Sequence, residues 1–87
     1  MKFEDYIKYR IETKSYCHNA AVSDLLHDME RDMDNITGKN GQEIFDHIAF
    51  AGGHNYLLMG TLHIFVRTYR QYCRAKNVEP EKINLQG

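Results

Sequence analysis

The segment from Asn55 to Lys76 carries two stripes at helical spacing, and they constrain the fold more than any other feature of the chain. Apolar residues recur there at steps of four and three, which is the repeat of one face of an α-helix. They are Leu58, Leu62, Phe65, Tyr69 and Tyr72. A second set at similar steps is basic, and it comprises His63, Arg67, Arg70 and Arg74. The segment therefore predicts a long helix with one face buried in a core and another face exposed to solvent.

Three earlier segments also show the apolar spacing of amphipathic helices. The predicted helices cover residues 3–13, 20–36 and 41–51, and the long helix 55–76 follows them. No segment shows the alternation of apolar and polar residues that is typical of a half-buried strand. The sequence therefore predicts an all-α fold, a small bundle of four to five helices that ends in a long C-terminal helix.

Asparagine stands at the start of three of these helices, at positions 19, 40 and 55. Asparagine is among the preferred N-cap residues, because its side-chain oxygen accepts hydrogen bonds from the first free backbone N–H groups. Asn40 is followed three residues later by Glu43, which is the spacing of a capping box. We therefore expect these three asparagines to begin their helices.

The length of 87 residues suits a single domain. We assign residues 1–76 to one helical domain and residues 77–87 to a C-terminal tail. The tail contains Pro80, the only proline, and is mostly polar. Such a composition allows disorder, and the alternative is that Ile83 and Leu85 pack back onto the domain.

Charge and cysteine content narrow the classes of function. The net charge is −1, so affinity for nucleic acid or membranes would require local clusters of charge. No apolar run approaches the roughly 20 residues of a membrane span, and the first ten residues are too charged for a secretory signal. Cys17 and Cys73 are therefore expected to be reduced in a cytoplasmic protein, although the sequence leaves a disulfide between them open.

The sequence shows no clear catalytic or metal-binding motif. The five histidines are separated by 9, 20, 7 and 9 residues, so no pair has the i, i+4 spacing that favours zinc on a helix. Ser23 lacks the glycines of a nucleophile elbow, and Gly38-Lys39 indicates a turn rather than a phosphate loop. We therefore expect no catalytic residue, no metal, no cofactor and no small-molecule substrate, and we interpret the chain as a non-enzyme.

Two charged faces are the candidate binding surfaces. The acidic face lies on the second predicted helix and comprises Asp24, Asp28 and Asp32. The basic stripe of the last helix comprises His63, Arg67, Arg70 and Arg74. Both could be solvated faces, both could serve complementary association between molecules, and the arginines could contact phosphates.

The spacing of the apolar residues resembles that of the YozE family, small bacterial and phage proteins with a helical fold like that of sterile-alpha-motif domains. Four groups of residues carry this resemblance. They are Phe3 with Tyr6-Ile7 and Arg10, Asp24-Leu25 with Asp28 and Asp32, Glu43-Ile44 with His47-Ile48, and Phe65 with Tyr69 and Tyr72. Tyr69 stands where the family has tryptophan. The resemblance implies a sterile-alpha-motif-like bundle, and it implies no particular reaction.

These observations give one principal interpretation and two alternatives. The principal one is a small helical module that acts by contact with a protein partner, either a second copy of the chain or a host protein. The first alternative is a nucleic-acid-binding accessory protein that uses Arg67, Arg70 and Arg74. The second is a phage or mobile-element protein that inhibits a host protein by binding it.

Overall fold

The computed structural model describes residues 1–13 and 19–85, and it confirms the all-α fold class within them. The helices are α1 (Phe3–Glu12), α2 (Ala20–Arg31), α3 (Gly41–Ala51) and α4 (Tyr56–Ala75), with a 3-10 turn at Met33–Asn35. They form a bundle with principal extents of 34 × 26 × 23 Å. The connection at 14–18 lies outside the described residues, as do the candidate disulfide partner Cys17 and the histidine at 18.

The three predicted asparagine caps are confirmed. Asn19 accepts hydrogen bonds from the backbone at the start of α2, and Asn55 does the same for α4. Asn40 forms the complete capping box, since its side chain accepts from the Glu43 N–H at 2.9 Å while the Glu43 carboxylate accepts from the Asn40 N–H at 3.0 Å. Each helix start is thus fixed by residues next to it in sequence.

The second helix ends earlier than predicted. The apolar pattern predicted a helix to residue 36, but α2 ends at Arg31, and Asp32 leaves helical geometry with φ −108° and ψ 20°. The Asp32 carboxylate accepts from the Asn35 side chain at 2.7 Å and lies 2.7 Å from Nε2 of His47 on α3. Both partners hold the Asp32 side chain at the residue where α2 leaves helical geometry. Ile36 still reaches the core and is fully buried, because the 3-10 turn carries the chain inward.

Four aromatic rings from α1 and α4 form the centre of the core. Phe3 and Tyr6 each pack against Phe65 and Tyr69, with ring centroids 5.0–5.7 Å apart. All four side chains are at most 1% exposed. The apolar stripe of the sequence therefore faces inward as predicted, and it meets the aromatic residues of α1.

Ile48, Leu58 and Tyr72 are exceptions among the side chains that the apolar spacing of the predicted helices places in the core, since all three are only partly buried. The side chains that are buried as predicted include Leu25, Met29, Ile44, Leu62, Phe65 and Tyr69. Ile48 is only partly buried, since it lies in the wall of a surface cleft.

Residues 78–85, here called the C-terminal strap, pack against the bundle. Asn77 adopts a left-handed conformation, with φ 57°, which asparagine tolerates, and this turn reverses the chain after α4. Ile83 is 4% exposed and packs next to Gly41, where an added Cβ would lie 3.1 Å from the Ile83 side chain. Of the two alternatives for the tail, the structure has Ile83 and Leu85 packed against the bundle, Ile83 buried and Leu85 partly buried.

The strap also completes the backbone hydrogen bonding of α1. Lys2 gives α1 no side-chain cap, and the Glu81 carboxylate accepts the Phe3 N–H at 2.7 Å instead. The Glu81 N–H donates to the Tyr69 hydroxyl at 2.6 Å, and that hydroxyl donates to the Met1 carbonyl. The strap thus joins the first residues of the domain to α4.

Candidate protein-docking surface

The strap occupies half of the predicted basic stripe. Arg70 donates to the Ile83 carbonyl at 2.8 Å, and His63 Nε2 donates to the Leu85 carbonyl at 3.0 Å. Both side chains are partly buried, whereas Arg67 and Arg74 are exposed. The stripe therefore divides into two side chains that hold the strap and two that face solvent.

The carboxylates of the strap add negative charge next to the arginines of the basic stripe. Glu79 lines one shallow cleft with Arg70 and Arg74, and Glu81 lines a second with Arg70. Negative charge beside the arginines weakens the local positive potential that a phosphate backbone requires. Arg70 also stabilises the tertiary structure, so a change to glutamate at this position is expected to loosen the strap.

The predicted acidic face is likewise divided. Asp24 is exposed, and Asp28 is exposed and pairs with Arg31. Asp32 is partly buried against His47, and hydrogen bonds from Asn35 and His47 hold the pKa of Asp32 below its usual value. Asp32 thus bonds to other side chains at the end of α2, and of the other two aspartates Asp28 is already paired with Arg31.

The connection between α3 and α4 makes a tight corner. Gly53 and His54 both have positive φ, 68° and 54°, and His54 is a non-glycine residue in the left-handed region. The His54 N–H donates to the Ala49 carbonyl at 2.9 Å, so the reversal closes the end of α3. Left-handed conformations at non-glycine residues are uncommon, and they cluster at functional segments.

This corner exposes large apolar side chains that the sequence analysis did not single out. Phe50 is 77% exposed, Tyr56 is 89% exposed and Leu57 is 75% exposed, and Ile64 follows on α4 at 40%. We call these four residues the corner patch. Clusters of large exposed apolar side chains are characteristic of interaction sites, whereas single exposed apolar residues are ordinary. The structure thus places the rings of Phe50 and Tyr56 outside the core.

The corner patch continues along one face of α4. The exposed residues recur at helical steps and define the outward face of α4, namely Leu57, Gly60, Ile64, Arg67, Gln71 and Arg74. The first half of this face is apolar and its second half is basic. The prediction gave α4 one buried face and one basic face. In the structure the outward face is basic only in its second half, because its first half carries exposed apolar side chains.

Two clefts reach the same corner. One cleft of about 420 Å³ lies where α2, α3 and α4 meet, and its apolar wall comprises Leu25, Met29, Ile48 and Leu58. Asp28, Asp32 and Asn55 also line it. The other cleft, of about 360 Å³, is lined by Phe45, Asp46, Ala49, Phe50, His54 and Met59. The corner thus combines projecting apolar side chains with grooves that could receive such side chains from a partner.

Burial favours the neutral forms of two ionisable side chains in the core, Tyr69 and Cys73. Burial raises the pKa of Tyr69 to about 12 and raises the pKa of the Cys73 thiol. Cys73 is fully buried, so a thiolate there would be costly at neutral pH. Within residues 1–13 and 19–85, no three histidine, cysteine, aspartate or glutamate side chains are grouped to hold a metal ion.

Part of the corner patch is visible in the sequence, but helical periodicity does not show whether these apolar residues are buried or exposed. Leu57 and Ile64 are seven residues apart and fall off the main apolar stripe of α4, so a second apolar stripe was visible. Phe50, in contrast, sits near the end of a helix whose other apolar residues are buried. Its exposure depends on how the corner turns, which is a tertiary property.

Comparisons with protein-family models, with curated proteins and with solved structures found no match for this chain. The resemblance to the YozE family therefore stays a prediction. Among the described residues, no helix is long and apolar enough to cross a membrane.

Proposed function

We propose that this chain is a non-catalytic helical module that acts by protein–protein contact, and that its contact surface is the corner patch together with the outward face of α4. The observation that carries the proposal is the exposure of Phe50, Tyr56 and Leu57, each at 75–89%, within eight residues of chain. Hydration of this apolar surface is unfavourable, and a partner that covers it removes that cost.

The chemistry of the patch matches the energetic centres of protein interfaces. Tyrosine and other aromatic residues are enriched at such centres, because they supply a large contact area with little loss of conformational entropy. Polar groups around the corner, including Asp46 and His54, provide a rim that can set orientation. The clefts beside the patch offer complementary concave surface.

The nucleic-acid alternative has weaker support in the geometry. Of its three arginines, Arg70 is engaged with the Ile83 carbonyl, and the carboxylate-bearing Glu79 lies beside Arg74 in the adjacent cleft. Arg67 and Arg74 remain as exposed charge, and two cations separated by two helical turns track a backbone poorly. Inhibition of a host protein would be one use of a protein-contact surface, and it stays a prediction.

The proposal can be tested with a photo-reactive amino acid placed at Leu57 in cells that carry the gene naturally. The matched control places the same amino acid at Ala21, which is exposed on α2. We expect a discrete cross-linked species from position 57 and none from position 21. Changing Phe50 and Tyr56 to serine in the position-57 variant should remove it. A folded protein that yields no cross-link at position 57 would contradict the proposal.

A further inference from the structure

We infer that the cleft between α2, α3 and α4 binds a small organic cation, that is, a compact apolar molecule that carries one ammonium group. The volume of this cleft, about 420 Å³, falls within the range of about 300–1,000 Å³ that is usual for small-molecule sites. The inference concerns binding without a reaction. It does not depend on the proposed protein contact, which the corner patch carries.

The apolar wall of the cleft fits the body of such a molecule. Leu25 and Met29 contribute to this wall from α2, and they belong to the core at 3% and 1% exposure. Leu58 lies against Gly52, which leaves room for it, since a Cβ on the glycine would clash with the leucine side chain. The atoms of this wall lack packing partners on the open side of the cleft. An apolar group that enters the cleft gains those contacts and leaves water.

The charges around the cleft are negative. Asp28 and Asp32 line it, and the other described residues of its lining carry no charge. Part of the lining comes from the last turns of α2 and α3, where the carbonyl ends of the helices carry partial negative charge. The N-terminal end of α4 is also there, but the N–H groups of Leu57 and Leu58 already donate to the Asn55 side chain. The electrostatic complement of this lining is a cation.

Asp32 is held in position for contact with an ammonium group. One oxygen of its carboxylate accepts from the Asn35 side chain at 2.7 Å, and the other lies 2.7 Å from His47 Nε2. A carboxylate offers about four acceptor positions, so these two contacts leave room for a further donor. The same hydrogen bonds hold the pKa of Asp32 below its usual value, which keeps the group ionised at neutral pH.

Asp28 is the second carboxylate and is more exposed. It pairs with Arg31 at the surface, where both side chains are mostly in solvent. Exposed ion pairs of this kind contribute little, so a ligand cation can replace the arginine at little cost. The two carboxylates lie at one side of the apolar wall, which matches a ligand with its charge at one end.

Three probes of nearly equal shape test the inference, namely phenethylammonium, phenethyl alcohol and phenylacetate. Titrations are followed through the amide chemical shifts of the full chain. We expect saturable shifts around Ile48, Ala51 and Leu58, which line the cleft. The cation should bind at least about threefold more tightly than the alcohol, and phenylacetate should bind more weakly than both, because the carboxylates attract the first and repel the last.

Two charge-removing variants locate the ammonium group. Asp28→Asn and Asp32→Asn should each weaken binding of the cation about threefold or more and leave the Kd of the alcohol nearly unchanged. Asp28 is exposed, so its variant tests the charge even where Asp32→Asn loosens the end of α2. Asp24→Asn is the matched control, since Asp24 is exposed one turn earlier on α2 and is not part of the cleft lining. It should bind all three probes like wild type.

Three results would overturn the inference. One is a set of equal Kd values for the three probes, and another is a cation Kd that neither cleft variant changes. The third is a cation that gives no saturable shift around the cleft up to about 20 mM, since a probe of this size reaches a Kd of roughly 10 mM or below in a site that fits it.

Discussion

Phe65 and Phe50 show how differently one residue type behaves at two positions of this fold. Phe65 is fully buried and packs against Phe3 and Tyr6, with ring centroids 5.7 and 5.4 Å away. Phe50 is 77% exposed, so it loses little contact when truncated. The same substitution at the two sites therefore separates core stability from surface function.

We expect Phe65→Ala to lower the free energy of unfolding by about 3–5 kcal/mol, the usual cost of truncating a buried aromatic ring. Phe50→Ala should change it by less than about 0.5 kcal/mol, as surface substitutions do. Urea denaturation of both variants in dilute solution measures the difference. A Phe65→Ala variant as stable as wild type would mean that α4 packs in another register.

Glu4 connects α1 to the loop that precedes α3. Its carboxylate accepts from Lys8 at 2.7 Å and from the Gly38 N–H at 2.9 Å, and these hydrogen bonds lower the pKa of Glu4 below its ordinary value of 4.5. A carboxyl group that is more acidic in the folded state stabilises it above the unfolded pKa. That contribution is lost as pH falls through the lowered folded pKa.

Wild-type melting temperature should therefore fall when the pH drops below about 4.5, the ordinary Glu value. Glu4→Gln should melt below wild type at pH 7, and the difference should narrow as the pH approaches 3. Melting curves by circular dichroism between pH 3 and 7 provide the measurement. A constant difference across that range would show that Glu4 does not gain its charged contacts on folding.

At the scale of the helices, local signals predicted the starts well and the ends less well. Asn19, Asn40 and Asn55 accept hydrogen bonds from backbone N–H groups two or three positions further along the chain. The local sequence was therefore sufficient to predict these three helix starts. The end of α2 depends on the contact of Asp32 with His47, fifteen residues further along the chain. This contact forms only when α3 packs beside α2, so the apolar spacing within the second helix could not predict it.

Two glycines offer a test at this scale, because they sit in helices with opposite surroundings. Gly60→Ala should raise the free energy of unfolding of the dilute protein by about 0.5–1 kcal/mol, since nothing lies near the added methyl group. Gly41→Ala should lower it, because a Cβ there meets Ile83 at 3.1 Å and Phe3 at 3.2 Å. Thermal denaturation compares the pair, and the prediction fails if the two shifts share a sign.

At the scale of the whole molecule, the strap decides which predicted site residues are available. The sequence placed His63 and Arg70 with Arg67 and Arg74 on one basic face, and all four residues lie in α4. It could not show that carbonyl groups of residues 83 and 85 would accept from two of them. The exposed corner patch was missed for a related reason, because helical periodicity does not reveal which apolar faces the other elements cover.

Removing the strap should destabilise the domain as a whole. A chain that ends at Asn77 loses the buried Ile83 side chain and the acceptor that Glu81 gives to the Phe3 N–H. We expect a loss of about 2–5 kcal/mol, comparable with truncating a buried isoleucine. The single variant Ile83→Ala should show much of this loss in urea denaturation. Unchanged stability in both variants would mean that the strap is detached in solution.

The strap also has a consequence for the order of events in folding. Helical bundles fold quickly because most of their contacts are close in sequence. The hydrogen bonds of Phe3 with Glu81 and of Tyr69 with Met1 instead join residues 78 and 68 positions apart. Closing loops of that length is costly until the helices have assembled. We therefore expect strap docking to follow the rate-limiting step, so that loosening the strap accelerates unfolding and leaves the refolding rate almost unchanged.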